Sequence, residues 1–321
     1  MDGIGKIITV GIAPAWDVTC IGNNLDWGKH SVISEVTSRP AGKALNISMA
    51  LAWMGTKSIA AGLWGKQDYQ KMSGQMKPLQ RHIQAKMTPA DAPTRQNITI
   101  VDAAQKKEIH LRTKSELASS KSLAKLQTDL KKLVSKNSLC VFAGSMPEKN
   151  LEGVAEIIKF CNRRGAKIVL DTSGRALKKI VNTGCVWLIK PNVEELRELV
   201  EKNIKDNPAS LAKAAGTLLD KVEIVLLSCG SKGAMVVTKH GVWQGQCIEK
   251  RNVLSTVGCG DYLLAGFLYG LQKKGDFGFA LQTAIKVAAA KAWQITQQIS
   301  WAKAAHKIKT DIGCRGWTVK R

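Results

Sequence analysis

The sequence lacks the patterns that mark several large protein classes. No apolar run is long enough to span a bilayer, so no transmembrane helix is expected. The eight cysteines never occur with Cys-x-x-Cys spacing and the five histidines form no His-Glu-x-x-His, which argues against a zinc site. No Gly-Lys pair precedes Ser or Thr, and no Gly-x-Gly-x-x-Gly opens a helix, so neither common phosphate-binding fingerprint is present.

Acidic residues are also scarce, with 25 Asp and Glu against 48 Lys and Arg, for a net charge of +23. The basic residues are dispersed, and the longest lysine runs are pairs such as Lys131-Lys132. We interpret most of this charge as a solvated surface and do not expect nucleic acid as a partner. A chain that binds nucleic acid or an acidic partner without catalysis is kept as an alternative.

Short apolar runs alternate with helical segments along the chain. Leu139 to Ala143 predicts a buried strand, and Leu151 to Arg163 predicts the helix that follows it. This alternation favours an α/β fold with a mainly parallel sheet covered by helices on both faces. Ile7 to Val10 is predicted as the first strand rather than a secretion signal, so a cytoplasmic location and no membrane contact are expected.

Two segments, 17–36 and 95–111, break the alternation. They contain strand-like pieces without helices between them, for example Asn97-Ile98-Thr99-Ile100-Val101. We predict that they form a small β-layer over the main sheet, which would act as a lid.

Ser255-Thr256-Val257-Gly258-Cys259-Gly260-Asp261 precedes an apolar helix from Tyr262 onward. The first amides of a helix have no internal partners and attract negative charge. Glycines let a ligand approach the backbone closely. The motif therefore predicts an anion site, and the adjacent carboxylate can orient or deprotonate a hydroxyl, although an Asp at this position can also simply cap the helix.

This motif resembles the Thr-x-Gly-Ala-Gly-Asp signature of the ribokinase-like (PfkB) carbohydrate kinases, and the order of further motifs over about residues 7 to 293 supports the resemblance. The closest branch is the one that includes 1-phosphofructokinase and tagatose-6-phosphate kinase. The resemblance implies a single domain over 1–321 with a three-layer α/β/α fold and a β-lid that often also forms a dimer contact. It assigns the anion hole to Gly258, Cys259 and Gly260 and the catalytic base to Asp261.

The resemblance also assigns residues to the sugar side of the site. Pro40-Ala41-Gly42-Lys43-Ala44-Leu45-Asn46 is similar to a Gly-Gly-Lys-Gly-x-Asn signature, although Ala41 and Ala44 replace glycines. Hydroxyl-binding and phosphate-binding roles are thereby implied for Asp17, Lys29, Gly42, Lys43, Asn46, Arg95 and Ser145. For Asp17, a residue that only forms a turn, and for Lys29, an ordinary surface lysine, remain open alternatives.

The nucleotide side is implied by two further matches. Lys190-Pro191-Asn192-Val193-Glu194-Glu195 is similar to the Asn-x-x-Glu motif, in which the glutamate organises Mg²⁺ largely through water. Ser228-Cys229-Gly230-Ser231-Lys232-Gly233 is similar to a nucleotide-binding turn. ATP and Mg²⁺ are the implied cofactors, with Glu195 for the metal and Lys190, Asn192, Ser228, Gly230, Gly233 and Thr256 for the nucleotide.

Two features depart from the family pattern. Lys291 and Trp293 interrupt a helix of small residues that should pack near the adenine, and the tail from Gln294 has no close family counterpart. Separately, the thiol of Cys259 is expected to have a lowered pKa at a helix N-terminus and to be sensitive to oxidation.

The function expected from the resemblance is an ATP-dependent kinase that phosphorylates a hydroxyl of a phosphorylated ketohexose, with fructose 1-phosphate as the first choice. Fructose 6-phosphate and tagatose 6-phosphate are the alternative substrates, and a homodimer formed through the lid is the expected assembly.

Overall fold

A computed structural model describes residues 5–315 of the chain. The strands in this range are β1 (Ile7–Gly11), β2 (Ala15–Gly22), β3 (Ile33–Ala41), β4 (Ser58–Gly65), β5 (Ile83–Ala90), β6 (Arg95–Asp102), β7 (Lys107–Arg112), β8 (Leu139–Ala143), β9 (Lys167–Asp171), β10 (Val186–Ile189), β11 (Ile224–Ser228), β12 (Ala234–Thr238), β13 (Gly241–Cys247) and β14 (Thr310–Arg315).

The helices alternate with these strands through most of the chain. Within the same range they are α1 (Lys43–Trp53), α2 (Tyr69–Met76), α3 (Ser120–Leu133), α4 (Leu151–Arg163), α5 (Gly174–Val181), α6 (Val193–Val200), α7 (Pro208–Gly216), α8 (Cys259–Lys274), α9 (Phe277–Ala292) and α10 (Trp301–Lys307). None of the helices in residues 5–315 combines the length and the apolar character needed to cross a membrane.

A ten-stranded sheet forms the centre of the molecule, in the order β14-β13-β12-β11-β10-β9-β8-β1-β4-β5. The strands from β11 to β5 run parallel, and β12, β13 and β14 add antiparallel partners at the other edge. Every residue of β1 and β8 is buried; β8 is an uninterrupted apolar run and β1 is apolar except for Thr9, as expected for strands covered on both faces.

Helices cover the two faces of this sheet and enclose separate cores. One core contains Leu126 of α3 and Val154 of α4, together with side chains of α5, α6 and α7. The other contains Ala50 of α1, Leu268 of α8 and Ala284 of α9. The predicted three-layer α/β/α arrangement is therefore confirmed.

A separate four-stranded sheet has the order β3-β2-β6-β7, with β2 and β6 parallel. It is built from the two segments, 17–36 and 95–111, that interrupt the alternation in the sequence. The strands run slightly beyond those limits, from Ala15 to Ala41 and from Arg95 to Arg112. The predicted β-layer is thus present as a second sheet, and its polar side chains reach the site described below.

The tail beyond Gln294 packs onto the body of the fold up to the last described residue. Trp301 of α10 meets Trp53 of α1, with ring centroids 5.4 Å apart at 65°. The β14 strand pairs with β13 and so extends the main sheet by one strand.

Candidate active site

A cavity of about 470 Å³ opens beyond the carboxyl ends of β1, β8, β10 and β11, under the second sheet. Parallel sheets bind ligands at this edge, and the volume suits a small molecule. The predicted residues that line it are Asp17, Gly42, Lys43, Asn46, Arg95, Ser145, Lys190, Asn192, Glu195, Ser228, Gly258, Gly260 and Asp261.

The cavity ends at the entrance to α8. Gly258 is the residue before the helix and has φ of 79°, a left-handed conformation that favours glycine. Within residues 5–315, the N–H groups of Gly260 and Asp261 have no hydrogen-bond acceptor. These amides lie at the positive end of the α8 helix dipole, so the entrance to the helix favours an anion, as the sequence predicts.

Asp261 lies in the first turn of α8 and is only 5% exposed. Its Oδ2 accepts a hydrogen bond of 2.7 Å from the Asn46 amide. Burial, followed by the negative charge of Asp171, raises the pKa of Asp261 to about 6. The carboxylate is therefore a stronger base than an exposed aspartate and is still ionised at neutral pH.

Two lysine ammoniums share one buried carboxylate beside this aspartate. Lys43 Nζ lies 2.9 Å and Lys190 Nζ lies 3.4 Å from Oδ1 of Asp171, which is fully buried at the end of β9. Burial by itself would lower the pKa of Lys43, but the Asp171 carboxylate outweighs it and the pKa is raised. The sequence analysis assigned no site role to Asp171.

The second sheet supplies the opposite wall of the cavity. Asp17 Oδ1 accepts a hydrogen bond of 2.8 Å from Asn97, and Asn97 Oδ1 accepts one of 3.0 Å from Arg95. Arg112 of β7 lines the same cavity and, after burial, is the main cause of the lowered pKa of Arg95. The sequence analysis assigned no role to Asn97, although it lies two residues after Arg95 in the same segment, and it missed Arg112, which lies in no recognisable motif.

The turn before α1 carries the altered glycine signature. Gly42 has φ of 120°, and a Cβ there would lie 3.3 Å from the Pro14 backbone, so a glycine is required. Ala41 and Ala44 are both buried and still line the cavity. Their methyl groups therefore form part of its wall and leave it open.

The nucleotide-side residues fall into two groups. Asn192 and Glu195 cap the start of α6 reciprocally, with hydrogen bonds of 2.8 and 2.9 Å, and both line the cavity. Ser228 lies at the end of β11 next to them. The cavity lining does not include Gly230, Gly233 or Thr256. Gly230 and Gly233 lie in the turn that follows Ser228, and Thr256 directly precedes Val257, which lines the cavity.

The Glu195 carboxylate fits a role near a metal ion. Its Oε2 accepts the Asn192 N–H, and within residues 5–315 its Oε1 has no protein partner. Mg²⁺ keeps several waters and takes few protein carboxylates, so one uncommitted oxygen facing the cavity suits an ion held largely through water.

Two further predicted residues also lie outside the cavity lining. Lys29 lies in the loop between β2 and β3, is 74% exposed and pairs with Asp26 at 2.8 Å, and it does not line the cavity. Cys259 also lies outside the lining, and burial raises the pKa of its thiol. The expected lowering of that pKa is therefore wrong, because the cost of burying a thiolate exceeds the effect of the nearby Lys291.

Comparison with known proteins adds an independent observation. Residues 6–304 match the model of the family described as pfkB family carbohydrate kinase. The chain belongs to this family. It is therefore a sugar kinase, a phosphotransferase, as predicted.

Individual relatives agree with this assignment. The chain is similar to the 1-phosphofructokinase of Haemophilus influenzae, with 26% identity over 84% of this chain and 85% of that protein. It is 31% identical to the 1-phosphofructokinase of Borreliella burgdorferi over 78% of each. The crystal structure of phosphofructokinase-2 from Escherichia coli in complex with fructose-6-phosphate shares the fold, with a TM-score of 0.84 at 20% identity, covering 94% of this chain and 97% of that one.

Proposed function

We propose that this protein transfers the γ-phosphoryl group of ATP to a hydroxyl of a phosphorylated ketohexose, with fructose 1-phosphate as the preferred acceptor. The observation that carries the proposal is the position of Asp261. Its buried carboxylate, oriented by Asn46, lies next to the free amides at the start of α8. A hydroxyl held by this carboxylate would be aimed at a phosphoryl group held by these amides.

The reaction balances with the groups present. The acceptor oxygen forms a new bond to the γ-phosphorus, and the bond from that phosphorus to the bridging oxygen of ATP breaks, releasing ADP. The hydroxyl proton passes to Asp261, whose raised pKa suits a base that later returns the proton to solvent.

The chain's own amides and cations supply the electrostatic part of catalysis. The Gly260 and Asp261 amides stabilise the charge on the transferring group, and Lys190 lies close to the Gly260 turn. Glu195 and its waters would hold Mg²⁺, which when bound neutralises phosphate charge.

Arg95 and Arg112 are the groups that we assign to the phosphate already on the sugar. Both line the cavity, and within residues 5–315 neither guanidinium has a carboxylate within 4.0 Å. Two unpaired guanidiniums in one cavity suit a doubly charged phosphate, which each can bind through two oxygens. Lys43 faces the same cavity from the opposite wall.

The second sheet would serve as a lid and as a contact between subunits. Five of its residues line the cavity, so its closure would exclude water from the reacting groups; they are Asp17, Ala41, Arg95, Asn97 and Arg112. Val36 and Leu111 of its strands are exposed, as are Trp27 and Val32 of the loop between β2 and β3, and these exposed apolar side chains favour a homodimer.

An ADP-release assay with Mg²⁺ over fructose 1-phosphate, fructose 6-phosphate, tagatose 6-phosphate and unphosphorylated fructose tests the proposal. We expect the highest kcat/KM on fructose 1-phosphate and very little turnover of fructose. Highest kcat/KM on another phosphosugar would replace the acceptor. Absence of ADP release with every sugar would reject the activity.

Replacing Arg112 by methionine tests the assignment of the phosphate contacts. We expect KM for the phosphorylated sugar to rise by about tenfold or more, the effect of one charged hydrogen bond, with little change in KM for ATP. Lys107→Met is the matched control, because this lysine lies on the same strand, does not line the cavity and donates its ammonium hydrogen bond to Gln105. An equal rise in both variants would show a general charge effect and contradict the assignment.

A further inference from the structure

The α9 helix brings a lysine against the entrance of α8. The Cε atom of Lys291 lies 3.4 Å from the position that a Cβ on Gly258 would occupy. The Asn46 amide and the Asp261 carboxylate lie 3.8 and 3.9 Å from the same point. Lys291 is thus adjacent to the two residues that would orient the acceptor hydroxyl and to the glycine that opens the anion hole.

The ammonium of Lys291 has no ion-pair partner in residues 5–315, whereas Lys43 and Lys190 both pair with Asp171. The ammonium lies over the ring of Tyr262, with Nζ 5.3 Å from the ring centroid. Burial, and then the positive charge of Arg39, lower the pKa of Lys291. A half-buried cation without a counter-ion is unfavourable unless an anion binds beside it.

The neighbouring groups indicate which anion this is. The free amides of Gly260 and Asp261 already favour negative charge at this point. Arg95 and Arg112 lie on the second sheet and can hold the phosphate that the sugar carries. The additional cation at the α8 entrance is therefore next to the phosphoryl group in transfer, where a flexible ammonium can follow the moving charge.

We propose that Lys291 is a catalytic residue of this chain, whose ammonium contacts the phosphoryl oxygens during transfer and acts together with the amides at the start of α8. The inference deepens the proposed function and rests on it. It gives a role to Lys291, which interrupts the small-residue helix α9. The sequence analysis identified this lysine only as a departure from the family pattern near the adenine.

Lys291→Met and Lys291→Arg test the proposal with fructose 1-phosphate, or with whichever phosphosugar the unmodified protein prefers. For Lys291→Met we expect kcat to fall by about 10²-fold, the effect of losing one donor to a developing oxyanion, with KM for ATP and sugar nearly unchanged. Lys291→Arg, which keeps the charge, should recover part of the loss. Binding of ADP with aluminium fluoride and the sugar phosphate, as a mimic of the transferring group, should weaken in proportion to kcat.

Lys273→Met is the matched control, because Lys273 makes the same kind of contact, 5.6 Å from the Tyr269 ring, at the opposite end of α8. It should leave kcat and the aluminium fluoride complex unchanged.

Three results would overturn the proposal. One is an unchanged kcat in Lys291→Met, and another is a loss equal to that of Lys273→Met. The third is a rise in KM for the sugar phosphate with kcat preserved, which would place the lysine on the ground-state substrate. If the unmodified protein releases no ADP with any sugar phosphate, the proposed function itself fails, and that failure is seen before any variant is compared.

Discussion

Replacing Asp261 by asparagine should make the protein both inactive and more stable. The substitution keeps the size of the side chain and removes a charge that the fold buries at the entrance of α8. An active site often retains such an unfavourable group because catalysis needs it. Turnover and the free energy of unfolding are measured in separate assays, so each can contradict the prediction by itself.

The size of the stability effect follows from the pKa of Asp261. Its value is about 6 in the folded protein against 3.8 for the unperturbed group, a difference of about two units, or about 3 kcal/mol. The folded protein binds the proton more tightly than the unfolded chain, so this group's contribution is most favourable below pH 4. That contribution is lost as the pH rises from 4 to 6, and above pH 6 the ionised carboxylate costs about 3 kcal/mol.

Urea unfolding at pH 7.5 should therefore give Asp261→Asn a free energy of unfolding up to about 3 kcal/mol above that of the unmodified protein, and the difference should shrink at pH 4.5. ADP release with the preferred phosphosugar should fall by about 10²-fold or more. Near-normal turnover would remove Asp261 from its role as base. An unchanged or lower stability at pH 7.5 would refute the claim that its ionised form is destabilised by burial.

Further predictions concern the neighbours of this carboxylate. The hydrogen bond from Asn46 lowers the pKa of Asp261 and the charge of Asp171 raises it. The acidic limb of kcat/KM, which reflects loss of the ionised base near pH 6, should therefore move to higher pH in Asn46→Ala and to lower pH in Asp171→Asn. Shifts in the same direction would contradict this reading. Because burial raises the pKa of Cys259, iodoacetamide at pH 7 should modify it slowly, and Cys259→Ala should keep nearly full turnover; rapid inactivation through Cys259 would show that its thiolate is stabilised after all.

The elements of the fold are predictable where a local run of residues decides them. Leu139 to Ala143 and Leu151 to Arg163 have the predicted limits as strand and helix, because the first is a short continuous apolar run and the second has apolar residues at helical spacing. The α7 helix ends at Gly216, a residue type that disfavours helix interiors. The boundaries thus depend on single residues, whereas the order of elements does not.

The candidate site is predictable only in the part that lies in continuous motifs. The Gly258 to Asp261 turn and the Asn192 to Glu195 cap carry their geometry in their own sequence. Arg112 reaches the cavity because β7 pairs with β6. Lys291 reaches the Gly258 turn because α9 packs on α8, and neither pairing leaves a trace in the local sequence. Lys29 is the opposite case. Its position after Gly28 matches a phosphate-side lysine of the family, but its side chain lies on the surface.

Asp171 joins these separate segments and, after burial, is the second cause of the raised pKa of Asp261. It pairs with Lys43 from the start of α1 and with Lys190 just after β10, so its negative charge partly offsets two positive charges that lower the pKa of Asp261. Its own negative charge also opposes ionisation of Asp261. Without Asp171, both lysines would stabilise the ionised form of Asp261, lower its pKa and make it a weaker base for the acceptor hydroxyl. Asp171→Asn should therefore lower the maximal rate at high pH as well as shift the acidic limb, although the side chain is fully buried and is not expected to touch the substrate.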